Sequence, residues 1–525
     1  MQNRWLAVIF LLLLPALYVE LLGQENDDQE IEIIQADALK FSDRNDTKSY
    51  LLTGNVILKQ ADTRLFCDSA YLYTKSNSAA AYGKVHINQG DTVHVYSDSA
   101  LYNGNEKITT MYSNVRLVDR EMNLTTDYLV YNTEQRFGIY SNGGTLKSNE
   151  AVLTSKTGYY YAGSQVAFFK DSVRLNHPQY KLEADTLEYN TETETAWFHG
   201  PTTIYNDEST VFCNDGYYET ISGIAVFNVE AKMDNPPQLL KADSIYYNRE
   251  TGIGKAYGNI YFEDTAQHIL QYGEFALYDE VNNIITSPER SVAGYVLDDD
   301  TLFITGDTIT IIRDSLERNT MTVYPNVKLF KSDFQGVCDS LFYSDVDSMI
   351  QLYYNPVLWS DETQFTGDTI LLQLKNSNLD KMYFLSNAFI VNMQDSLIYN
   401  QVKGRDITGV FKDGDLSKVE VRGNGESIYY GKDDNDRYLG ANKALCSDID
   451  MYIKEKQFSK ISFMGMPEAT FYPMTQIDLS SFYLDNFVWE GERRPKNRQS
   501  LFDELIQDAS ETSNPIRERS SQKEG

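Results

Sequence analysis

The chain has 525 residues, with 76 acidic against 46 basic side chains and a formal net charge of −30. That balance favours solubility and makes nucleic acid a poor partner. The 38 Tyr and 25 Phe stand among many Val, Ile and Thr and are interrupted by only 12 Pro, a composition that suits pleated strands.

Residues 1–23 read as an export signal or N-terminal anchor. Arg4 supplies the positive start, 5–14 is an apolar core, and Gly23-Gln24 is a plausible cleavage region, although Glu20 intrudes and the A-x-A pattern is missing. No later stretch reaches the roughly 18 apolar residues that a spanning helix needs.

From residue 31 a unit of about thirty residues recurs. Its first strand reads apolar-x-small-Asp-x-apolar-x-aromatic, as in 34–41, 65–72, 95–102, 124–131, 182–189 and 240–247. Asp37, Asp68, Asp98 and Asp127 step by 31, 30 and 29, and Asp185, Asp215 and Asp243 step by 30 and 28. Later copies stand at Asp307, Asp339, Asp368 and Asp448. The second strand follows a turn pair, as in Gly54-Asn55-Val56, Gly83-Lys84-Val85, Ser113-Asn114-Val115, Gly258-Asn259-Ile260 and Pro325-Asn326-Val327. The apolar positions fall three and one before the Asp, then two and four after it. A straight strand would send those two sets to opposite faces, so the parity predicts a bulge or corner at the small-Asp-Ser/Thr step. A corner in every layer folds the sheet into a V with its apolar side chains inside.

The array divides into 31–233 and 238–475 at 234–237, the best internal break. The tail 476–525 is read as largely disordered apart from a short amphipathic helical turn at Ser500, Leu501, Phe502, Asp503, Leu505 and Ile506. Cys67, Cys213, Cys338 and Cys446 are more than a hundred residues apart and sit at or beside the small position of the repeat, which predicts buried thiols without bridges.

The tandem A-D-x-L-x-Y and G-N-V-x-L/F strands resemble the OstA-like family, the organic-solvent-tolerance group with the periplasmic lipopolysaccharide-transport bridge. The match is clearest in 31–135 and 180–265 and looser through 300–475. The resemblance implies an all-β fold: an elongated, repetitive twisted β-jellyroll of stacked V-shaped antiparallel strands. It also implies a periplasmic protein that shields the acyl chains of lipopolysaccharide, or another multi-acyl lipid, on the way to the outer membrane. Implied partners are other envelope transport proteins reached through sheet edges, and copies of the chain stacked end to end. Departures are the length, which exceeds that of a simple bridge protein, and the polar C-terminus, which lacks a barrel's terminal aromatic strand.

On this reading the groove lining comprises Leu39, Phe41, Val56, Leu58, Leu72, Val85, Ile87, Leu129, Tyr131, Leu187, Tyr189, Ile245, Tyr247, Ile260 and Phe262. Periodicity alone supports a filled core built from the same residues, and with it the alternative of a structural or adhesive β-solenoid without lipid. A catalytic pair should occur once, whereas the repeat Asp recurs throughout, so it reads as a corner residue and the chain as no enzyme. His86, His94, His177, His199 and His268 lack metal-ligand spacing, and 433–436 lacks the calcium-loop pattern, so no metal or cofactor is expected.

Overall fold

The computed structural model describes residues 30–44, 47–90, 93–119, 122–147, 151–297, 300–375, 378–412, 415–454 and 457–503. Residues 1–23, read above as an export signal or anchor, and the positions Leu505 and Ile506 lie outside them. The chain forms two compact units, one of 1–148 with 157–164 and the other of 149–156 with 165–525.

In the first unit, Thr47–Gln60, Thr63–Tyr73, Ser78–Gln89, Val93–Asn103, Ile108–Asp119 and Met122–Asn132 pair antiparallel in succession. Each is broken near its middle by a register shift. Thr53 pairs with Ser69 and Val56 with Cys67, so Gly54 and Asn55 stand opposite the single residue Asp68. In Thr63–Tyr73 the buried positions are 63, 65, 67, 70 and 72, the change of parity expected of a corner. We call the half that precedes the repeat Asp arm A and the half that follows it arm B.

The corner has a repeated chemistry. Gly54 and Asn55 both take positive φ, 79° and 44°, which turns the chain sharply. The Asn side chain then donates to the carboxylate of a repeat Asp: Asn55 to Asp37 at 3.0 Å, Asn114 to Asp98 at 2.7 Å, Asn259 to Asp243 at 2.9 Å and Asn326 to Asp307 at 2.7 Å. The recurring Asp is thus an exposed hydrogen-bond acceptor that fastens one layer's corner to the next. A Cβ on Gly258, at φ 69°, would run into the Asp243 carboxylate. Gly258→Ala is expected to destabilise the second unit by at least about 1–2 kcal/mol, read as a lower urea midpoint.

The small residue before the Asp points inward at the bend. Cys67, Cys213, Cys338 and Cys446 are all buried free thiols, and Cys338 and Cys446 donate to the carbonyls of Ser340 and Asp448 at 3.3 Å. Burial pushes the Cys67 and Cys213 thiols up to about 11 and that of Cys338 up to about 12. These thiols stay protonated at pH 8, so a thiol-reactive dye is expected to label them only after denaturation.

The second unit repeats this pattern from Val166–Asn176 to Ile269–Asp279. Segment 234–237 is a hairpin turn in which Asn235 pairs with Gln238. Beyond 279 the two arms become separate short strands. Arm A stacks Ser291–Val296, Thr301–Gly306, Val327–Lys331, Phe334–Cys338, Val357–Ser360 and Thr363–Thr366. Arm B stacks Ile284–Ser287, Thr308–Arg313, Asn319–Tyr324, Ser340–Ser344, Met349–Tyr353 and Thr369–Lys375. Both rejoin on Asn378–Asp395, which pairs with Thr363–Thr366 through one end and with Thr369–Lys375 through the other. The strands that follow, Ile398–Lys412, Asp415–Lys432 and Tyr438–Lys454, run to 15, 18 and 17 residues.

The tail is packed up to the last described residue. Phe482, Tyr483, Leu484, Phe487 and Trp489 lie on Phe389, Tyr399 and Tyr430, and Leu501 and Phe502, in a helical turn at 499–503, lie on Val292 and Phe303. The sequence signal for this was the apolar cluster at 482–489, which a purely polar tail would lack.

Candidate functional site: an apolar cavity between the arms

The arms of the second unit enclose a cavity of about 1920 Å³, well above the roughly 300–1,000 Å³ of ordinary small-molecule sites. Arm A supplies Leu302, Ile304, Phe334, Phe365, Ile390 and Val402; arm B supplies Ile311, Met321, Ile350, Leu372, Met382, Phe411, Leu416, Ile449, Ile461 and Phe463. Ile304, Leu372, Met382 and Ile449 belong to the buried core, whereas Leu302, Met321, Ile390, Phe411 and Phe463 pack on it while only partly buried. They are partly exposed because they face the cavity. At the rim stand exposed Glu317, Asp333, Asp361, Asn378, Lys412 and Asp415.

One end of the cavity is bounded by a polar bridge across the mouth of the V. The Arg313 guanidinium at the tip of arm B donates to Gln267 Oε1 at 2.8 Å and to Asn319 Oδ1 at 3.3 Å, and Asn319 donates to the same Gln267 oxygen at 2.9 Å. Gln267 and Asn319 both line the cavity.

The interior of the first unit differs. Three buried acceptors at the tip of arm A, Gln60, Gln89 and Asp119, receive the hydroxyls of Tyr102, Tyr131 and Tyr160 from arm B, residues 42, 42 and 41 positions later. Tyr131 donates to Gln89 Oε1 at 2.9 Å and Tyr160 to Asp119 Oδ2 at 2.6 Å, and the Gln60 amide also donates to the Gly104 carbonyl at 2.9 Å. These clasps close the mouth of each layer. Beneath them is a space of about 10 Å³ lined by Leu58, Leu65, Ile87 and Tyr102, room for about one water molecule at most. Burial also pushes the Tyr131 phenol upward. Tyr131→Phe leaves the buried Gln89 oxygen without its donor, at a cost of about 1–3 kcal/mol, expected as a lower urea midpoint followed by hydrogen exchange within 47–132.

The residues singled out from the repeat fall into three groups. Val56, Leu58, Leu72, Val85, Ile87, Leu129, Tyr131, Leu187, Ile245 and Ile260 are 0–4% exposed, and Tyr189, Tyr247 and Phe262 are half-buried. Leu39 and Phe41 are 54% and 50% exposed, because their strand, Ala38–Arg44, pairs on one side only among the described residues. None of them lines the cavity, which lies wholly within 266–463. Sequence reading missed that lining because the repeat is least regular there; the longer strands after 378 were the available signal. Among the described residues no group of three or more His, Cys, Asp or Glu is placed to hold a metal ion.

Residues 28–185 match the OstA-like protein family model. That segment is similar to the OstA-like family. Comparison with curated proteins gave no match. Among solved structures, the chain is similar to LptH from Pseudomonas aeruginosa, the LptA-homologous periplasmic component of the conserved lipopolysaccharide transport device. That alignment has 14% identity over 26% of this chain and 81% of LptH, with a TM-score of 0.14. The OstA-like match covers the clasped first unit and ends 81 residues before the cavity lining begins at Ala266.

Proposed function

We propose that this OstA-like chain is a periplasmic protein that binds lipopolysaccharide, or another multi-acyl lipid, and shields its acyl chains in the second unit during transfer to the outer membrane. The observation that carries the reading is the cavity, which is apolar within, polar at its rim and too large for a single small ligand. Each methylene moved from water into such a site contributes about 0.8 kcal/mol, so several chains can be held without polar specificity. The rim leaves the headgroup in solvent, which accommodates an anionic lipid on an acidic protein. The apolar segment 5–14 supports export, and the family supports envelope transport proteins as partners.

A structural role is favoured for the first unit by one observation: its mouth is clasped and its interior filled. Its outermost strand, Ala38–Arg44, presents Leu39 and Phe41 on an edge suited to a further strand, from another copy or a partner. Concentration-dependent sedimentation that Phe41→Lys abolishes would support that edge.

The decisive experiment is mass spectrometry of lipids extracted from the exported protein, purified without its apolar leader under mild conditions. Bound multi-acyl lipid, displaced by added lipopolysaccharide, is the expected result. A lipid-free protein that also takes up no added lipid would leave the structural reading in its place.

A further inference from the structure

Residues 474–503 contain no described strand after Pro473, yet they run as a strap across the outer face of arm A in the second unit. Three buried glutamines on arm A hold it. Gln401 accepts the Leu484 amide at 2.8 Å; Gln364 accepts the Glu490 amide at 2.7 Å and donates to the Val488 carbonyl at 2.8 Å; Gln335 accepts Arg494 Nε at 2.8 Å. Such a buried amide with an oxygen acceptor and an N–H donor fixes the register of an extended segment, and here the strap satisfies it.

Side chains alternate along the strands of arm A, so the neighbours of each glutamine face the other way. Phe334 beside Gln335, Phe365 beside Gln364 and Val402 beside Gln401 all line the cavity. At Gln335 and Gln364 the arm is therefore a single ply with the strap on one face and the apolar cavity on the other, while Gln401 and Ile428 border both the strap and the cavity. At Gln335 and Gln364 the strap crosses short strands, five residues in Phe334–Cys338 and four in Thr363–Thr366, where a ply that borders a cavity has least to hold it flat; at Gln401 it crosses the 15-residue Ile398–Lys412.

We propose that the strap braces arm A in the open position, and that Gln335, Gln364 and Gln401 are positioning residues for the lipid through their grip on it. This rests on the cavity being the lipid site. Because the strap and the lipid contact opposite faces of one ply, docking of each strengthens the other by the same factor.

The test uses the full exported chain and a strap-side variant, Trp489→Ala with Arg494→Ala, which leaves every arm residue native. Without lipid, the variant is expected to exchange amide hydrogens faster in Thr363–Thr366 and Ile398–Lys412, with exchange within 47–132 unchanged. Unchanged exchange in those arm strands would overturn the bracing role even if the wild-type protein binds no lipid. With fluorescently labelled lipopolysaccharide, the variant is expected to bind about tenfold more weakly, and lipid on the wild-type protein should slow exchange of the Leu484 and Glu490 amides by the same factor. Equal binding by both proteins, or bound lipid without that slowing, would overturn the coupling. Failure of the wild-type protein to bind at all would instead remove the lipid reading.

Discussion

Ile390→Asp is expected to lower lipopolysaccharide capture by at least about tenfold while the chain remains folded. Ile390 sits on Asn378–Asp395, the strand on which both arms rejoin, and its half-buried side chain faces the cavity. In the lipid-free protein a carboxylate there can hydrate from the cavity. Once acyl chains fill the space that hydration is lost, and an unpaired buried charge costs several kcal/mol. Titration with labelled lipopolysaccharide, with circular dichroism as the folding control, separates the two effects; undiminished capture would place the acyl chains elsewhere.

Leu129→Asp is expected to unfold the first unit while leaving lipid capture by the second in place. Leu129 is 1% exposed, pairs with the fully buried Met111 and lies one residue from Val130 on the strand that carries Tyr131. Removing a buried leucine costs about 2–5 kcal/mol, and an unpaired carboxylate adds several more. Loss of exchange protection in 47–132, with protection in 291–454 and lipid binding retained, is the expected pattern. A folded variant that had lost lipid would restore the first unit as the conduit.

The two substitutions test one distinction. Leu129 and Ile390 are both apolar residues at inward positions of a repeated strand, yet one lies in a closed interior and the other on a cavity wall. Clasp chemistry accounts for part of the difference. Gln60, Gln89 and Asp119 recur at steps of 29 and 30 residues and Tyr102, Tyr131 and Tyr160 at steps of 29, and each pair joins the two tips of the V. Arg313, Gln267 and Asn319 make such a bridge at the edge of the cavity. Past it the arms separate into independent strands and the space opens.

Strand pairs, the thirty-residue period and the corner were legible in the amino-acid order alone, because side-chain parity and the left-handed demand of Gly54-Asn55 are local properties of the chain. It also marked the four cysteines as buried small residues, since their place in the repeat is local too. Which apolar residues fill a core and which border a cavity became visible only in the folded chain, because that depends on how far apart two arms stand. Gln89 meeting Tyr131 at the mouth, and Trp489 lying on Trp359 behind arm A, join residues 42 and 130 positions apart. Such contacts are set by how the layers stack, and no local pattern in either segment specifies its partner.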